Sequence, residues 1–276
     1  MSVLVFGSGG LLGQALAARA GTVGLTHAEL DIGDPAAVAA ALDRFRPAAV
    51  VNAAALALVD RADREPALAW EVNAEAPGRL AHACRDRDVR LLHISTDYVL
   101  QGADVPGARL AVTDPPRPQS TYARSKRGGE LAALAHDAVV VRIQWAYALT
   151  GRSFLARALA TLRGGQPLSL VTDQVGCPSP AAWLAERLLD CAEGGPTGLF
   201  HLAPTGEASA YDWVMAAADA LSVPTETVSP CRRADLGGAL RPARSCLDAS
   251  TFFQVWPGEQ PTWRAALRQE ISRSGC

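Results

Sequence analysis

Val3-Leu4-Val5-Phe6-Gly7-Ser8-Gly9-Gly10-Leu11-Leu12-Gly13 decides the fold. Four consecutive apolar residues, too few for a helix and apolar on both faces, read as a strand buried inside a parallel sheet. Glycines at 7, 10 and 13 then break the run, and the apolar stretch Leu11 to Ala20 continues as a helix. In a strand, loop, helix context glycine permits the tight turn, lets the main chain approach a pyrophosphate and lets the helix pack close to the sheet. The helix N-terminus then faces the phosphates. Gly7, Ser8, Gly9, Gly10, Leu11, Leu12 and Gly13 are therefore candidate dinucleotide-binding residues, although the same spacing without a ligand is only a tight turn. About twenty residues further on, Asp31 and its neighbour Ile32 are placed for the adenosine end, with His27 near a 2′-phosphate position. No arginine follows the second strand directly, so NADH and NADPH both stay open as cofactor.

Outward from that stretch the order of elements repeats. Ala48 to Val51, Leu91 to Ile94 and Val139 to Ile143 are further short apolar runs, separated by helix-like segments such as Pro35 to Phe45 and Ala67 to Ala83. Asp34-Pro35 supplies an N-cap followed by proline at the first helical position. Alternating strand and helix means an α/β fold, a Rossmann-type doubly wound parallel sheet. After about residue 150 the pattern loosens: helix-like Ser153 to Leu162, a strand near Leu168 to Val171, helix-like Pro180 to Cys191, a strand at Gly198 to Leu202 and helix-like Tyr211 to Leu221. Residues 1–150 thus read as the dinucleotide-binding domain, and residues 151–276 as a smaller C-terminal substrate-binding lobe from which some segments return to the first domain. Val223 to Pro257 reads as loop, and Pro261 to Ile271 as a closing helix.

Composition excludes several classes. At 276 residues and 49% hydrophobic content the chain can bury a large core, and disorder is not expected. A formal charge of -2 with scattered arginines gives no footprint for nucleic acid. No run approaches the ~20 apolar residues that span a bilayer, so no membrane partner and a soluble cytoplasmic protein are the expectations. Cys84, Cys177, Cys191, Cys231, Cys246 and Cys276 are widely spaced, with no histidines grouped at ligand spacing, and read as reduced packing thiols.

Three further segments converge on the crevice. Asn52-Ala53-Ala54-Ala55 follows a strand and leaves room for a ribose or nicotinamide; Asn73 supports the same region. Ser95-Thr96-Asp97-Tyr98 puts hydroxyls at another strand end, where Thr96 can hold a substrate carbonyl, while a capped turn explains Ser95 and Asp97 equally well. Tyr122 and Lys126 lie four apart, on one face of a helix. Lys126 is the only lysine among 26 basic side chains. A compact ammonium with three donors does there what a planar guanidinium cannot.

In order, Gly7-x-x-Gly10-x-x-Gly13, Leu30-Asp31-Ile32, Asn52-Ala53-Ala54-Ala55, Val59-Asp60, Val72-Asn73, Ser95-Thr96-Asp97-Tyr98-Val99, Tyr122-x-x-x-Lys126, Arg142, Trp145-x-Tyr147, Asp173-Gln174-x-Gly176-x-Pro178 and Arg241-Pro242-x-x-Ser245 resemble the extended short-chain dehydrogenase/reductases. Within them the resemblance is to the dTDP-4-dehydrorhamnose reductase family. It implies NAD(P)H-dependent reduction of the 4-keto group of a nucleotide-linked deoxysugar, dTDP-4-dehydrorhamnose to dTDP-L-rhamnose. It implies Tyr122 as proton donor, Lys126 as its helper lowering the phenol pKa, and Thr96 as the hydroxyl on the keto oxygen. Asp97, Tyr98, Gln144, Trp145, Arg241 and Ser245 fall at substrate positions. A homodimer is the assembly left open.

Departures from that pattern are Ala123 after the tyrosine, Ile143-Gln144 where the family has Thr-Ser, and Leu56-Ala57-Leu58 where a polar contact is expected. Gln144 changes both volume and hydrogen bonding beside the sugar, which makes another sugar nucleotide a competing expectation. The acidic residues that hold a divalent ion in some relatives have no counterpart, since Gln14 follows the loop, so no metal is expected. Two alternatives remain: a non-catalytic regulatory binding member of the family, and an epimerase or reductase of another nucleotide sugar.

Overall fold

The computed structural model describes residues 2–102 and 105–275; Cys276 lies outside them. Strands β1 (Val3–Phe6), β2 (Thr22–Leu25), β3 (Ala49–Asn52), β4 (Arg90–Thr96) and β5 (Val139–Ile143) join the strand Gly198–Leu202 in one six-stranded sheet. All its pairings are parallel, in the spatial order Gly198–Leu202, β5, β4, β3, β1, β2. The chain winds from β1 to β2 on one side and crosses to β3 on the other, so the crevice beyond the carboxyl ends of β1 and β3 is the ligand-binding position for such a sheet.

Alternating residues of the strands feed two cores. Val5, Val51 and Val141 pack under helix Ala181–Glu193 through Trp183, Leu184 and Leu188, while Leu4, Val50 and Val140 face Val38, Leu42 and Leu80 on the other side. Helix α1 (Leu11–Ala17) follows the glycine loop, and α2 (Pro35–Phe45) begins as its sequence dictates, with Asp34 accepting from the amides of Ala36 and Ala37. Residues beyond 150 supply the sixth strand and most of a third core, in which Leu155, Leu159, Trp213 and Trp263 meet Tyr147.

Three details depart from the sequence pattern. β2 carries Gly24 and lies half-buried at the sheet edge, so it lacks the apolar signature of a central strand. The segment expected as one helix from Ala67 to Ala83 is α4 (Pro66–Trp70, following α3, Val59–Arg64), a π turn at Glu71–Glu75, and α5 (Ala76–Arg85). Pro77 has no N–H to give to the carbonyl of Asn73, and its ring crowds that carbonyl, so the helix cannot keep its ordinary ladder there. The freed carbonyl faces α6 (Thr121–Leu134), where a Cβ on Gly129 would lie 2.1 Å from it; only glycine lets the helices approach this closely. The stretch expected as loop, Val223 to Pro257, contains a strand, Val228–Cys231, paired with Leu168–Val171, and the helix Ser250–Val255. Among the described residues no helix is long and apolar enough to cross a membrane.

Helix α6 is fixed to the sheet by charge. The fully buried Glu130 takes two hydrogen bonds from Arg142 of β5, at 2.7 and 2.9 Å, and one from Ser95 of β4 at 2.7 Å. Removing one partner of a buried pair leaves the other charge uncompensated. Glu130→Ala is therefore expected to lower the unfolding free energy by about 3–5 kcal/mol in urea titration. A loss below about 1 kcal/mol, the worth of an exposed pair, contradicts this account.

Candidate active site

The glycine loop lies directly on the end of β3. Gly7 has φ +80°, and a Cβ there would stand 2.5 Å from the nitrogen of Ala54; a Cβ on Gly13 would stand 2.1 Å from the carbonyl of Gly7. Neither position tolerates a side chain. Gly10 caps α1 without a side-chain hydrogen bond, which leaves the first-turn amides to an anion. The nearest atom to a Cβ at Gly9 would be 3.7 Å away, on Thr26, so the loop's outer surface stays open. This arrangement fits a dinucleotide pyrophosphate.

Asn52, expected to line the cofactor crevice, is fully buried: its oxygen accepts from the amide of Ala54 at 3.1 Å and its amide donates to Nδ1 of His93 at 3.2 Å. That bond fixes His93 as the neutral Nε2–H tautomer, and burial drives its pKa well below the usual histidine value. Asn73 is likewise internal, exchanging hydrogen bonds with both backbone groups of Leu56 and donating to Ser125. Ser95 points away from the crevice to Glu130, because successive strand residues face opposite sides. Ile32 and Leu12 belong to the apolar cores. These side chains hold the crevice and do not line it. Asp31 is exposed, its carboxylate accepting from the amide of Gly33 at 2.8 Å and 3.8 Å from His27.

At the end of β4 the expected catalytic groups meet. Ser120 caps α6 by accepting from the amide of Ala123, which presents Tyr122 in the first turn and Lys126 one turn on. Nζ of the buried Lys126 donates to the carbonyl of Ile94 at 2.7 Å, and burial pulls its pKa down to about 8. Thr96 accepts from the amide of Tyr98 at 3.3 Å and donates to Asp97 at 3.2 Å. The ring of Tyr98 stands edge-on to Tyr122, with centroids 5.8 Å apart. The Tyr122 pKa is not lowered by the neighbouring ammonium as expected: burial pushes the phenol above its usual value, and the opposing influence is a hydrogen bond with Thr96. Tyr122 is thus a protonated acid at neutral pH.

Gln144, Ser245 and Asp97, expected to touch substrate, form a buried network instead. The Gln144 amide donates to Asp97 at 3.1 Å and to the carbonyl and hydroxyl of Ser245 at 2.7 and 2.8 Å, and its oxygen accepts from the amide of Cys177 at 3.0 Å. Ser245 donates to Asp97 at 2.5 Å. Burial raises the Asp97 carboxyl to about 6 against the hydrogen bonds from Ser245, Gln144 and Thr96. Gln144 therefore fills a gap between β5, the turn after β4 and the C-terminal lobe.

The pocket beside this network, about 350 Å³, is lined by Tyr98, Trp145, Phe154, Gln174, Arg233 and Arg241 among others. Trp145 holds φ +42°, a conformation that costs energy for an aromatic residue and turns the indole onto Gly176, where a Cβ would lie 2.7 Å from the ring. Arg241 donates to Asp60 of α3 at 2.8 Å. Arg233 and Phe154 escaped the sequence reading, since an arginine in loop-like chain and a phenylalanine at a helix start carry no spacing signal. Gln174 does have one, the Asp-Gln-x-Gly pattern, and donates to the Tyr98 hydroxyl at 3.4 Å.

A family model described as the RmlD substrate binding domain matches residues 1–275. The dTDP-4-dehydrorhamnose reductase of Mycolicibacterium smegmatis is 36% identical over 282 residues, which cover 98% of this chain and 85% of the relative. The dTDP-4-keto-6-deoxy-D-glucose reductase of Streptomyces niveus is 33% identical over 96% of this chain and 95% of its own. The crystal structure of dTDP-4-dehydrorhamnose reductase from Bacillus anthracis in complex with NADP has a TM-score of 0.92 at 26% identity, covering 99% of this chain and 100% of the other. A match that runs from the first strand through the last helix, in sequence and in backbone alike, places the chain in the RmlD substrate binding domain family.

Proposed function

We propose that this protein is an oxidoreductase that reduces the 4-keto group of a deoxyhexose carried on a nucleoside diphosphate, converting dTDP-4-dehydrorhamnose to dTDP-L-rhamnose. The observation that carries the reading is the convergence of Tyr122, Lys126 and Thr96 at the end of β4, between a glycine loop and the Trp145 pocket. The names of the relatives above support the sugar and the nucleotide.

The first-turn amides of α1 and the backbone of Gly9 and Gly10 would hold the pyrophosphate of a nicotinamide dinucleotide, with Asp31 at the adenosine end and Lys126 at the nicotinamide ribose. Bound there, NADPH or NADH supplies a hydride. Tyr122, kept protonated by its buried surroundings, gives its proton to the oxygen that gains charge. Thr96 would turn its single hydroxyl proton from Asp97 to the same oxygen, a bond that strengthens as charge develops. Tyr98 packs against the Tyr122 ring, so the acid sits in one place. Trp145, just after β5, and Arg241, from the C-terminal half, would face the nucleotide-sugar.

Purified protein mixed with dTDP-4-dehydrorhamnose is expected to oxidise NADPH or NADH, followed at the nicotinamide absorbance band; no oxidation with either cofactor refutes the assignment. Tyr122→Phe is expected to lower kcat by at least about 10²-fold with nucleotide binding intact, the usual worth of a positioned acid. The rate is also expected to fall as pH rises through about 8, because Lys126 is charged below its lowered pKa and neutral above it. A kcat that stays flat from about pH 7 to about pH 10 contradicts that role for the ammonium.

A further inference from the structure

Asp60 lies in the first turn of α3, in the dinucleotide-binding half, yet its carboxylate is occupied by the other end of the chain. It accepts from the amide of Ala239 and from Nη2 of Arg241, each at 2.8 Å. A Cβ on Gly238 would stand 2.7 Å from the same carboxylate, so the backbone of this segment rests directly on it. Consecutive positive φ angles at Gly237 (+59°) and Gly238 (+84°) make the turn that brings it there.

The segment from Arg232 to Arg241 is a strap with little apolar anchorage. Leu236 and Leu240 are 52% and 63% exposed. What holds it is polar: Arg233 donates to the carbonyls of Gly237 and Ala239, its amide donates to Asp173 at 2.7 Å, and Asp60 closes the far end. Arg233, Leu236 and Arg241 of this strap line the pocket that also contains Tyr98. Arg241 uses one terminal nitrogen on Asp60 and the other on the carbonyl of Ala239, two of the five donors of a guanidinium.

We propose that Asp60 is a positioning residue for substrate: it latches the strap across the pocket mouth and aims Arg241 and Arg233 at an anionic, pyrophosphate-bearing ligand, setting affinity without entering the chemistry. The proposal rests on the function proposed above. The two donors also hold the Asp60 carboxyl below its usual pKa, so the latch stays charged at neutral pH.

The test uses the full-length protein. In Asp60→Asn the KM for dTDP-4-dehydrorhamnose is expected to rise about ten-fold, equivalent to ~1.4 kcal/mol, while kcat and the NADPH dissociation constant change by less than about two-fold. Tryptic cleavage after Arg232 or Arg233 is expected to accelerate, and dTDP is expected to slow that cleavage in the wild type but not in the variant. Arg241→Gln, which cuts the same bond and also removes a ligand-facing guanidinium, is expected to raise KM at least as much, with Asp60→Asn adding little on top of it. An unchanged KM with unchanged cleavage, a fall in kcat at constant KM, or fully additive effects of the two substitutions overturns the latch. If the wild type turns over no dTDP-linked sugar, the proposed function fails, and the cleavage rates of Asp60→Asn and wild type still decide whether Asp60 holds the strap.

Discussion

The buried carboxylate of Glu130 fixes the depth and rotation of helix α6, and the site depends on both. Tyr122, Lys126 and Glu130 are spaced by four, so they form one stripe down the helix. Glu130 is bolted to Arg142 of β5 and Ser95 of β4. One turn earlier the same stripe delivers Lys126 to the carbonyl of Ile94, and another turn earlier it delivers Tyr122 beside Tyr98 and within hydrogen-bonding reach of Thr96. Gly129, on the adjacent face, lets the helix settle against the carbonyl that Pro77 leaves free. A buried pair is weak evidence for net stability, but its geometry is directional, and orientation is what an acid and an ammonium on one helix require.

A second polar cluster does for the smaller lobe what Glu130 does for α6. Asp97, Gln144 and Ser245 come from the turn after β4, the end of β5 and the C-terminal lobe, and they meet without solvent. The departure at Gln144, which in sequence looked like a change in the sugar's surroundings, is in three dimensions a longer side chain satisfying Asp97, Ser245 and Cys177 together. Asp97 also accepts from Thr96, so this network extends to the hydroxyl at the end of β4. The carboxylate of Asp60 joins the two halves again on the outer side of the pocket.

Much of this was legible before folding. The strands β1 and β5, helix α2 with its Asp34 cap, and the closing helix follow from apolar runs, helical spacing and capping residues, because those signals are local. The meeting of the three proposed site residues was legible for the same reason: Thr96 at a strand end, and Tyr122 and Lys126 at helical spacing. What failed was direction. Asn52 and Ser95 were expected at the crevice and instead brace its walls, since which side a polar group turns to depends on what packs behind it, while Asn73 makes the supporting backbone contacts expected of it. The edge strand β2 and the π turn at Glu71–Glu75 were missed because neighbours, not local pattern, stabilise them.

By itself, then, the sequence determined a parallel sheet, a glycine loop at its first crossover and a tyrosine, lysine and threonine able to meet at its carboxyl edge, because each rests on spacing of a few residues. The tertiary structure alone decided how far the pKa values of Tyr122 and Lys126 move and what surrounds them. Burial raises the Tyr122 phenol and draws Lys126 down to about 8. Partners far apart in the chain, Gln144 with Ser245 and Asp60 with Arg241, shape the pocket. Desolvation and long-range pairing are properties of the packed chain, and no local pattern of residues encodes them.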